Sequence, residues 1–181
     1  MGIRQIIKAL IRGGIRVALW PWRRKYSRRN GVTSQEQRIE IPNDILLTAV
    51  RDAIREGHTA TILVKGWSMR PFLEHQRDRV LLDAPTDIAV GDAVLAEIGP
   101  GHFVLHRIWS MDGDDVTLMG DGNLQGQEHC HRKDICGIVT QYIRPRRMIP
   151  ASDPKLVRDI RLWRRLLPYR RYLLLFYKAL V

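Results

Sequence analysis

Four short blocks in the central part of the sequence carry residue types that could catalyse hydrolysis. Ser68 lies in a turn bounded by glycine and proline, directly after an apolar run. A serine hydroxyl becomes nucleophilic when a neighbouring base takes its proton, and a histidine such as His106 suits that role near neutral pH. A carboxylate such as Asp121 can fix the tautomer of the imidazole and stabilise the imidazolium. The four blocks are VKGWSMRP (residues 64–71), GDAVL (91–95), VLHRI (104–108) and GDGN (120–123).

The order of these blocks is more informative than any one of them. Alone, a serine in a turn of glycine and proline is usually a turn former, and a single histidine in a strand is usually structural. Together the blocks resemble the catalytic domain of the signal peptidase I family and of the self-cleaving SOS-type repressors. Those families carry a G-x-S-M-x-P block, a G-D-x-V strand, a general base ahead of an R-hydrophobic pair and a late G-D-x-N block. The resemblance covers residues 64–123 and, as a fold, residues 60–143, and it implies a serine endopeptidase with Ser68 as the nucleophile.

The residue at the base position separates the subclasses of this family. Bacterial signal peptidases and the repressors have lysine there, whereas this chain has His106, which is similar to the endoplasmic-reticulum, archaeal and spore-former signal peptidases. In that type an aspartate of the G-D-x-N block is essential and is held to orient the histidine, which implies this role for Asp121. A further family aspartate has no match, because the stretch that ends at Glu128 reads QGQE. We therefore expect Ser68, His106 and Asp121 to form the catalytic site, with the backbone N–H of Ser68 or its neighbour as oxyanion donor.

Other residues near these blocks receive structural interpretations. Lys65 precedes the serine by three positions, but strand alternation predicts an exposed side chain rather than a base. Asp92 is expected to bond its own backbone in a turn. Trp67 and Met69 are expected to pack either beside a substrate cleft or in the core.

A second cluster, His129-Cys130-His131 with Cys136, contains residue types that bind zinc. Its spacing matches no familiar zinc site, and ligands adjacent in sequence compete geometrically. We therefore predict no metal, no cofactor and two free thiols in a reducing compartment.

The elements that must position these residues are predicted to be mainly β. Short runs of β-forming residues alternate with turn residues at roughly ten-residue spacing, which indicates a coiled, mostly antiparallel β domain. One helix is predicted over residues 42–57, where Pro42-Asn43-Asp44 form the N-terminal cap and Gly57 ends the helix. Its expected apolar face is Ile45, Leu46, Ala49, Val50, Ala53 and Ile54. The six expected strands lie in TATILVKG, DRVLLD, DAVLAEIG, HFVLHRIW, DVTLMGDG and ICGIVTQYI.

The net charge of +11 comes from the two ends of the chain. Residues 1–29 contain nine Lys and Arg and no acid, and residues 144–181 contain eleven against two acids. Residues 30–143 contain ten against seventeen, a net charge of −7. A basic chain usually suggests nucleic acid or an anionic membrane as partner. Because the β domain itself is acidic, nucleic acid is not the expected partner, and the charge bears on where the protein is located.

Both basic ends are predicted to be amphipathic helices. Residues 3–19 carry a basic residue at every fourth position from Arg4 to Arg16, and residues 153–181 interleave arginines with aliphatic and aromatic residues. Such helices either lie in a membrane interface or pack on the domain. Neither end is long and apolar enough to span a bilayer, and no cleavable signal peptide is expected. We expect a cytoplasmic protein, with peripheral attachment to the inner face of a membrane left open.

The expected organisation is a basic amphipathic helix (1–29), a linker and helix (30–59), the serine peptidase-like β domain (60–143) and basic C-terminal helices (144–181). A peptide or protein is the expected substrate. Two other classes of function stay open. A self-cleaving transcriptional repressor would need a helix-turn-helix before residue 60 and a lysine in place of His106. A catalytically idle domain bound to a membrane surface would keep the fold without the activity. The identity of the substrate and the oligomeric state also stay open.

Overall fold

Eight antiparallel strands form one sheet in the computed structural model, which describes residues 42–180. Their order is β1-β2-β7-β3-β4-β5-β6, and β8 pairs with the second half of β7. The mainly β, antiparallel architecture expected from the sequence is confirmed. The predicted basic helix within residues 1–29 lies outside the described residues. The strands are β1 (Ala60–Leu63), β2 (Arg79–Asp83), β3 (Ala93–Gly99), β4 (His102–Asp112), β5 (Asp115–Met119), β6 (Glu128–His131), β7 (Ile135–Arg144) and β8 (Arg147–Pro150).

All six predicted strands form, and β6 and β8 are additional. β6 reads EHCH and β8 reads RMIP, so neither carries the run of β-branched and aromatic residues from which strands are predicted. Each is instead held by a neighbour, because β6 pairs with β5 and β8 pairs with β7. The sheet therefore continues to Pro150, beyond the expected boundary at residue 143.

Three α-helices accompany the sheet in the described part of the chain: α1 (Asn43–Arg55), α2 (Pro154–Arg165) and α3 (Arg170–Leu180). Short 3-10 helices lie at Arg132–Asp134 and Leu167–Tyr169. Helix α1 has the predicted extent but a different start, because Pro42 caps it through its backbone carbonyl and no side chain caps it. Gly57 follows the helix with a φ of +88°, a conformation that glycine adopts without strain.

The buried face of α1 differs from the expected one. Val50 and Ile54 are buried as predicted, but Ile45 and Leu46 are 59% and 38% exposed. Helix α1 lies against β7 at Gly137, where an added Cβ would come within 2.8 Å of the Ile54 Cδ1 atom. This close approach to the sheet decides which part of the expected apolar face is covered.

The core has two clusters, because consecutive strand residues point to opposite faces of the sheet. In β3, Ala93 and Leu95 join the larger cluster, which also contains buried residues of α1 and α2. Val94 and Ala96 join the smaller cluster with residues of β4 and β5. The same alternation separates the side chains of the candidate site.

The C-terminal helices pack on the sheet along one face. Asp153 caps α2 by accepting two backbone N–H bonds of 2.9 and 3.0 Å. Helix α3 buries Arg170 and Tyr177. Among the described residues, no helix has the length and apolar composition needed to cross a bilayer. The residues that α2 contributes to the larger core cluster are Leu156, Ile160 and Trp163.

Candidate active site

Ser68 lies between β1 and β2, in a turn formed by residues 66–71 that we call the serine turn. Gly66 enters this turn with a φ of +96°, and its N–H donates to Nδ1 of His75 at 2.9 Å. The Ser68 side chain is half-buried. Within residues 42–180, the backbone N–H groups of Ser68 and Met69 donate no hydrogen bond, so both are chemically available to an oxyanion.

His106 lies in β4 and is only 6% exposed. Its Nδ1 atom is 2.8 Å from Oε2 of Glu128, the first residue of β6. A neutral imidazole that donates its Nδ1–H to this carboxylate keeps its lone pair on Nε2, where it can take up a proton. Glu128 is therefore placed to hold both the tautomer and the orientation of His106.

Ser68 and His106 line one cleft of about 150 Å³. They make no hydrogen bond with each other within the described chain, and a bond between nucleophile and base often tightens only when substrate completes a site. The remaining lining comes from two stretches of the chain, residues 64–66 and 103–105, together with Met69. The shared cleft brings the two residues of the expected catalytic pair to one place.

One edge of β4 is open beside this cleft. Residues Phe103–His106 pair with β3 along one edge, whereas pairing with β5 begins only at Arg107. Among the described strands, none covers the second edge of Phe103–Leu105. An unpaired edge of this kind presents N–H and C=O groups to which an extended peptide can bind.

Asp121 faces Arg107 rather than His106. Its carboxylate accepts from Arg107 Nε at 2.8 Å and from Nη2 at 2.5 Å, and both residues are buried to 2% exposure. Burial alone would lower the pKa of Arg107, but the adjacent Asp121 carboxylate and Tyr142 together outweigh this effect and raise that pKa. The orienting contact expected from Asp121 is thus made by Glu128, because His106 and Arg107 are consecutive in β4 and point to opposite faces.

Arg107 connects several of the sequence blocks to one another. Besides its bonds to Asp121, its Nη1 donates to the Gly91 carbonyl at 2.8 Å. Its guanidinium also lies 5.4 Å from the ring centroid of Phe72, which follows the serine turn. The arginine of the R-hydrophobic pair therefore joins the G-D and G-D-G-N blocks to the residue that directly follows the serine block.

The G-D-G-N loop supports the serine turn through its backbone. The N–H of Gly122 donates to the Ser68 carbonyl at 2.6 Å. An added Cβ at Gly120 would lie 2.5 Å from that carbonyl oxygen, and one at Gly122 would lie 2.8 Å from the Trp67 carbonyl oxygen. Both positions require glycine because the two backbones are in direct contact.

Most of the other residues near the blocks have the structural roles expected from the sequence. Lys65 is exposed as predicted, lines the cleft, and donates its Nζ to the side chain of the first residue of α1 at 2.8 Å. Asp92 accepts from the N–H of Ala89 at 2.8 Å, which confirms the expected turn. Met69 is both buried in the larger core cluster and part of the cleft wall, whereas Trp67 is 53% exposed.

The cluster of histidines and cysteines is divided by the alternation of β6. His129 and His131 contact side chains of β5, at 3.3 and 2.9 Å. Cys130 and Cys136 are free thiols, and burial raises the pKa of Cys130 to about 11. Within residues 42–180, no group of three or more His, Cys, Asp or Glu is arranged to hold a metal ion.

Glu128 is the candidate site residue that the sequence did not single out. The available signal was a carboxylate in the stretch where the resembling family has a further aspartate. Its position depends on β6, whose register places Glu128 opposite Leu118 of β5. Since the composition of β6 does not predict a strand, the sequence does not reveal this register.

Comparison with known proteins assigns no family. No model of a known protein family matches the chain, and no curated protein matches it. Ser68, His106 and Glu128 are therefore the residues whose arrangement bears on function.

Proposed function

We propose that this protein is a serine endopeptidase of the signal-peptidase-like superfamily. Ser68 is the nucleophile, His106 is the general base, and Glu128 orients the histidine. The observation that carries the proposal is the cleft shared by Ser68 and His106, together with the 2.8 Å contact between His106 Nδ1 and Glu128. Asp121 serves the site indirectly, by neutralising Arg107 and holding the loop beneath the serine turn.

The proposed reaction is a two-step acyl transfer. Ser68 Oγ attacks the carbonyl carbon of the scissile peptide bond while its proton passes to Nε2 of His106. The imidazolium then gives this proton to the leaving amine as the C–N bond breaks. A water molecule, deprotonated by the same imidazole, attacks the acyl-enzyme, releases the carboxylate product and restores Ser68.

The substrate we propose is an extended peptide paired with the open edge of β4. Main-chain hydrogen bonds to Phe103–Leu105 would align the peptide, and the cleft would receive one of its side chains. The cleft volume of about 150 Å³ favours a small side chain next to the scissile bond. Its walls include Val64, Met69 and Leu105, which favour an apolar one.

Labelling with a biotinylated fluorophosphonate, which reacts with activated serines, tests this function. We expect wild-type protein to be labelled at Ser68, Ser68→Ala to be unlabelled, and His106→Ala to react roughly 10²-fold or more slowly. Ser110→Ala is the matched control, because Ser110 is an exposed serine of β4 outside the cleft. Folded wild-type protein that is not labelled would contradict the proposal and favour a catalytically idle domain.

We also propose a cytoplasmic location with peripheral attachment to the inner face of a membrane. Tyr172, Leu175 and Phe176 on the outer face of α3 are 55%, 60% and 50% exposed. No Asp or Glu follows Asp159 in the sequence. An exposed apolar stripe beside basic residues suits the surface of an anionic bilayer.

A further inference from the structure

We propose that helix α3 positions the nucleophile, and that Arg170 is a positioning residue that acts through the loop Gly120–Asn123. The inference rests on the proposed role of Ser68. It assigns an active-site task to the C-terminal helix, which lies outside the blocks that carry the resemblance.

The loop is in direct contact with the serine turn. The Gly122 N–H donates to the carbonyl of Ser68 itself, at 2.6 Å. The backbones are so close that a Cβ at Gly120 or Gly122 would overlap the carbonyl oxygens of Ser68 or Trp67. A displacement of this loop therefore moves the backbone that carries the nucleophile.

The loop is also in contact with the C-terminal helices. Arg170 Nη1 donates to the Asn123 carbonyl at 2.7 Å and to the Gly120 carbonyl at 3.4 Å. Trp163 of α2 donates its indole N–H to the Asp121 carbonyl at 2.8 Å. Three backbone carbonyls of the loop, those of Gly120, Asp121 and Asn123, thus accept hydrogen bonds from side chains anchored on helices.

The burial of Arg170 supports a specific role for its guanidinium. The residue is 1% exposed, and burial lowers its pKa. Placing a charged group in the interior is unfavourable unless its hydrogen bonds are well used. An aliphatic residue would pack at this position without that cost, but it could not donate to the carbonyls of the loop.

Helix α3 also reaches the other side of the serine turn. The hydroxyl of Tyr177 donates to Glu74 Oε1 at 2.6 Å, and Arg70 donates to Glu74 Oε2 at 2.9 Å. The Arg70 guanidinium lies 3.9 Å from the ring centroid of Trp67, the residue before the nucleophile. Contacts from one helix therefore hold the turn from two directions.

The test compares Arg170→Met with Arg170→Lys and with the matched control Arg171→Met, all in the full chain. Arg171 is the exposed neighbour of Arg170 on the same helix. We expect Arg170→Met to lower the rate of fluorophosphonate labelling by roughly tenfold or more, because small misplacements of a reacting group are costly. Arg170→Lys should recover part of that rate, since lysine keeps one donor for the Asn123 carbonyl, and Arg171→Met should match the wild type.

Two further readouts distinguish positioning from a loss of stability. Amide hydrogen exchange in Arg170→Met should increase in residues 66–72 and 120–124 while the other strands keep their protection. The midpoint of the pH dependence of labelling should not move, because the contact between His106 and Glu128 is untouched. Exchange that increases uniformly over the domain would overturn the proposal.

Labelling of folded Arg170→Met within about twofold of the wild type would also overturn it. If Arg170→Met does not fold, Trp163→Phe removes the donor to the Asp121 carbonyl, keeps an aromatic ring and is judged by the same criteria. If the wild type is not labelled at all, the proposed peptidase function fails, and hydrogen exchange alone decides the role of Arg170. Unchanged exchange at residues 66–72 and 120–124 in Arg170→Met would then overturn the inference.

Discussion

His106 and Arg107 are neighbours in the chain, but their side chains point to opposite faces of β4. Strand alternation directs His106 to Glu128 and Arg107 to Asp121. The first pair is partly open to solvent, with 25% of the Glu128 side chain exposed, whereas the second is buried. The two carboxylates therefore differ in what their removal would change.

Asp121→Asn should mainly lower the free energy of unfolding, whereas Glu128→Gln should mainly lower the labelling rate. Asp121→Asn leaves the buried Arg107 charge uncompensated, so the free energy of unfolding should fall by about 3–5 kcal/mol. Glu128→Gln removes the carboxylate that sets the histidine tautomer, so the labelling rate of Ser68 should fall by roughly 10²- to 10⁴-fold. Its effect on the free energy of unfolding should stay within about 1 kcal/mol, because the side chain is partly exposed.

Chemical denaturation and fluorophosphonate labelling of both variants measure these differences. Glu97→Gln provides a comparison on another strand, because Glu97 is a partly exposed carboxylate in an ion pair with Arg51, at 2.7 Å. Normal labelling of Glu128→Gln, combined with lost labelling of a still folded Asp121→Asn, would reassign the orienting role to Asp121.

The proximity of Ser68 and His106 could be predicted, because their blocks combine a specific residue order with recognisable turn and strand residues. The partner of His106 could not, because the distance along the sequence does not say which face of β4 a later carboxylate reaches. Asp121 is close to Glu128 in sequence, yet one meets Arg107 and the other meets His106. Only the pairing of β5 with β6 settles this choice.

At the scale of elements, strands were predictable where they carry β-branched runs between turns. The helix over residues 42–57 was predictable from its apolar spacing and its terminal glycine, but its buried side was not. The expected apolar face includes Ile45 and Leu46, which are exposed, and the approach of Ile54 to Gly137 selects the part of that face that is covered. Local pattern thus predicts an element more readily than it predicts what the element packs against.

Helix α3 has an inner face that packs on the domain and an outer face that is apolar and exposed. Residues spaced by three and four positions share a face of a helix. The inner face anchors the helix through a polar contact as well as through packing, since Tyr177 donates to the buried Glu74. The inner face consists of Arg170, Leu173, Leu174 and Tyr177, and the outer one contains Tyr172, Leu175, Phe176 and Ala179.

The attachment of α3 should weaken at alkaline pH because of Tyr177. Burial, reinforced by the bond to the Glu74 carboxylate, raises the pKa of Tyr177 above its ordinary value. The unfolded chain ionises this phenol near pH 10, whereas the folded state resists ionisation. Its contribution to stability is therefore complete below about pH 10 and is lost as the pH rises towards the raised value.

Urea unfolding at several pH values between 8 and 12 measures this contribution. Tyr177→Phe should lower the free energy of unfolding by about 1.5–3 kcal/mol at neutral pH, and the difference from the wild type should shrink above about pH 10. Tyr172→Phe is the matched control, because Tyr172 is 55% exposed on the same helix. A difference that is constant up to pH 12 would contradict this role for the Tyr177 hydroxyl.

Across the molecule, the basic residues of the C-terminal end fall into two groups, those bonded to the domain and those exposed. Arg144, Arg164 and Arg170 donate to backbone carbonyls of the domain, at 2.9, 2.6 and 2.7 Å. These arginines are therefore part of the folded structure rather than a surface for a partner. The exposed basic residues of the two C-terminal α-helices are Lys155, Arg158, Arg161, Arg165, Arg171 and Lys178.

The exposed stripe of α3 suits lipid better than a second copy of the chain. A symmetric contact between two such helices would bring identical basic residues together, because the same patch faces itself in a two-fold interface. An anionic bilayer instead offers negative charge to Lys178 and apolar depth to Leu175 and Phe176. Attachment through this face would place the helix that supports the serine turn directly at the membrane surface.

Sedimentation with vesicles of phosphatidylcholine, with and without phosphatidylglycerol, tests this attachment in the full chain. The double variant Leu175→Ser with Phe176→Ser should lower partition onto the anionic vesicles by roughly tenfold or more, since each large apolar side chain contributes about 1.5–3 kcal/mol when fully buried. Ile45→Ser is the matched control, because Ile45 is 59% exposed on α1. Equal partition of the double variant and this control would contradict the role of α3. Dimerisation that is lost in the double variant would assign the stripe to a second copy. Weakening of wild-type binding by added salt would identify the basic residues around the stripe as the electrostatic part of the attachment, since salt screens exposed charges and leaves apolar insertion in place.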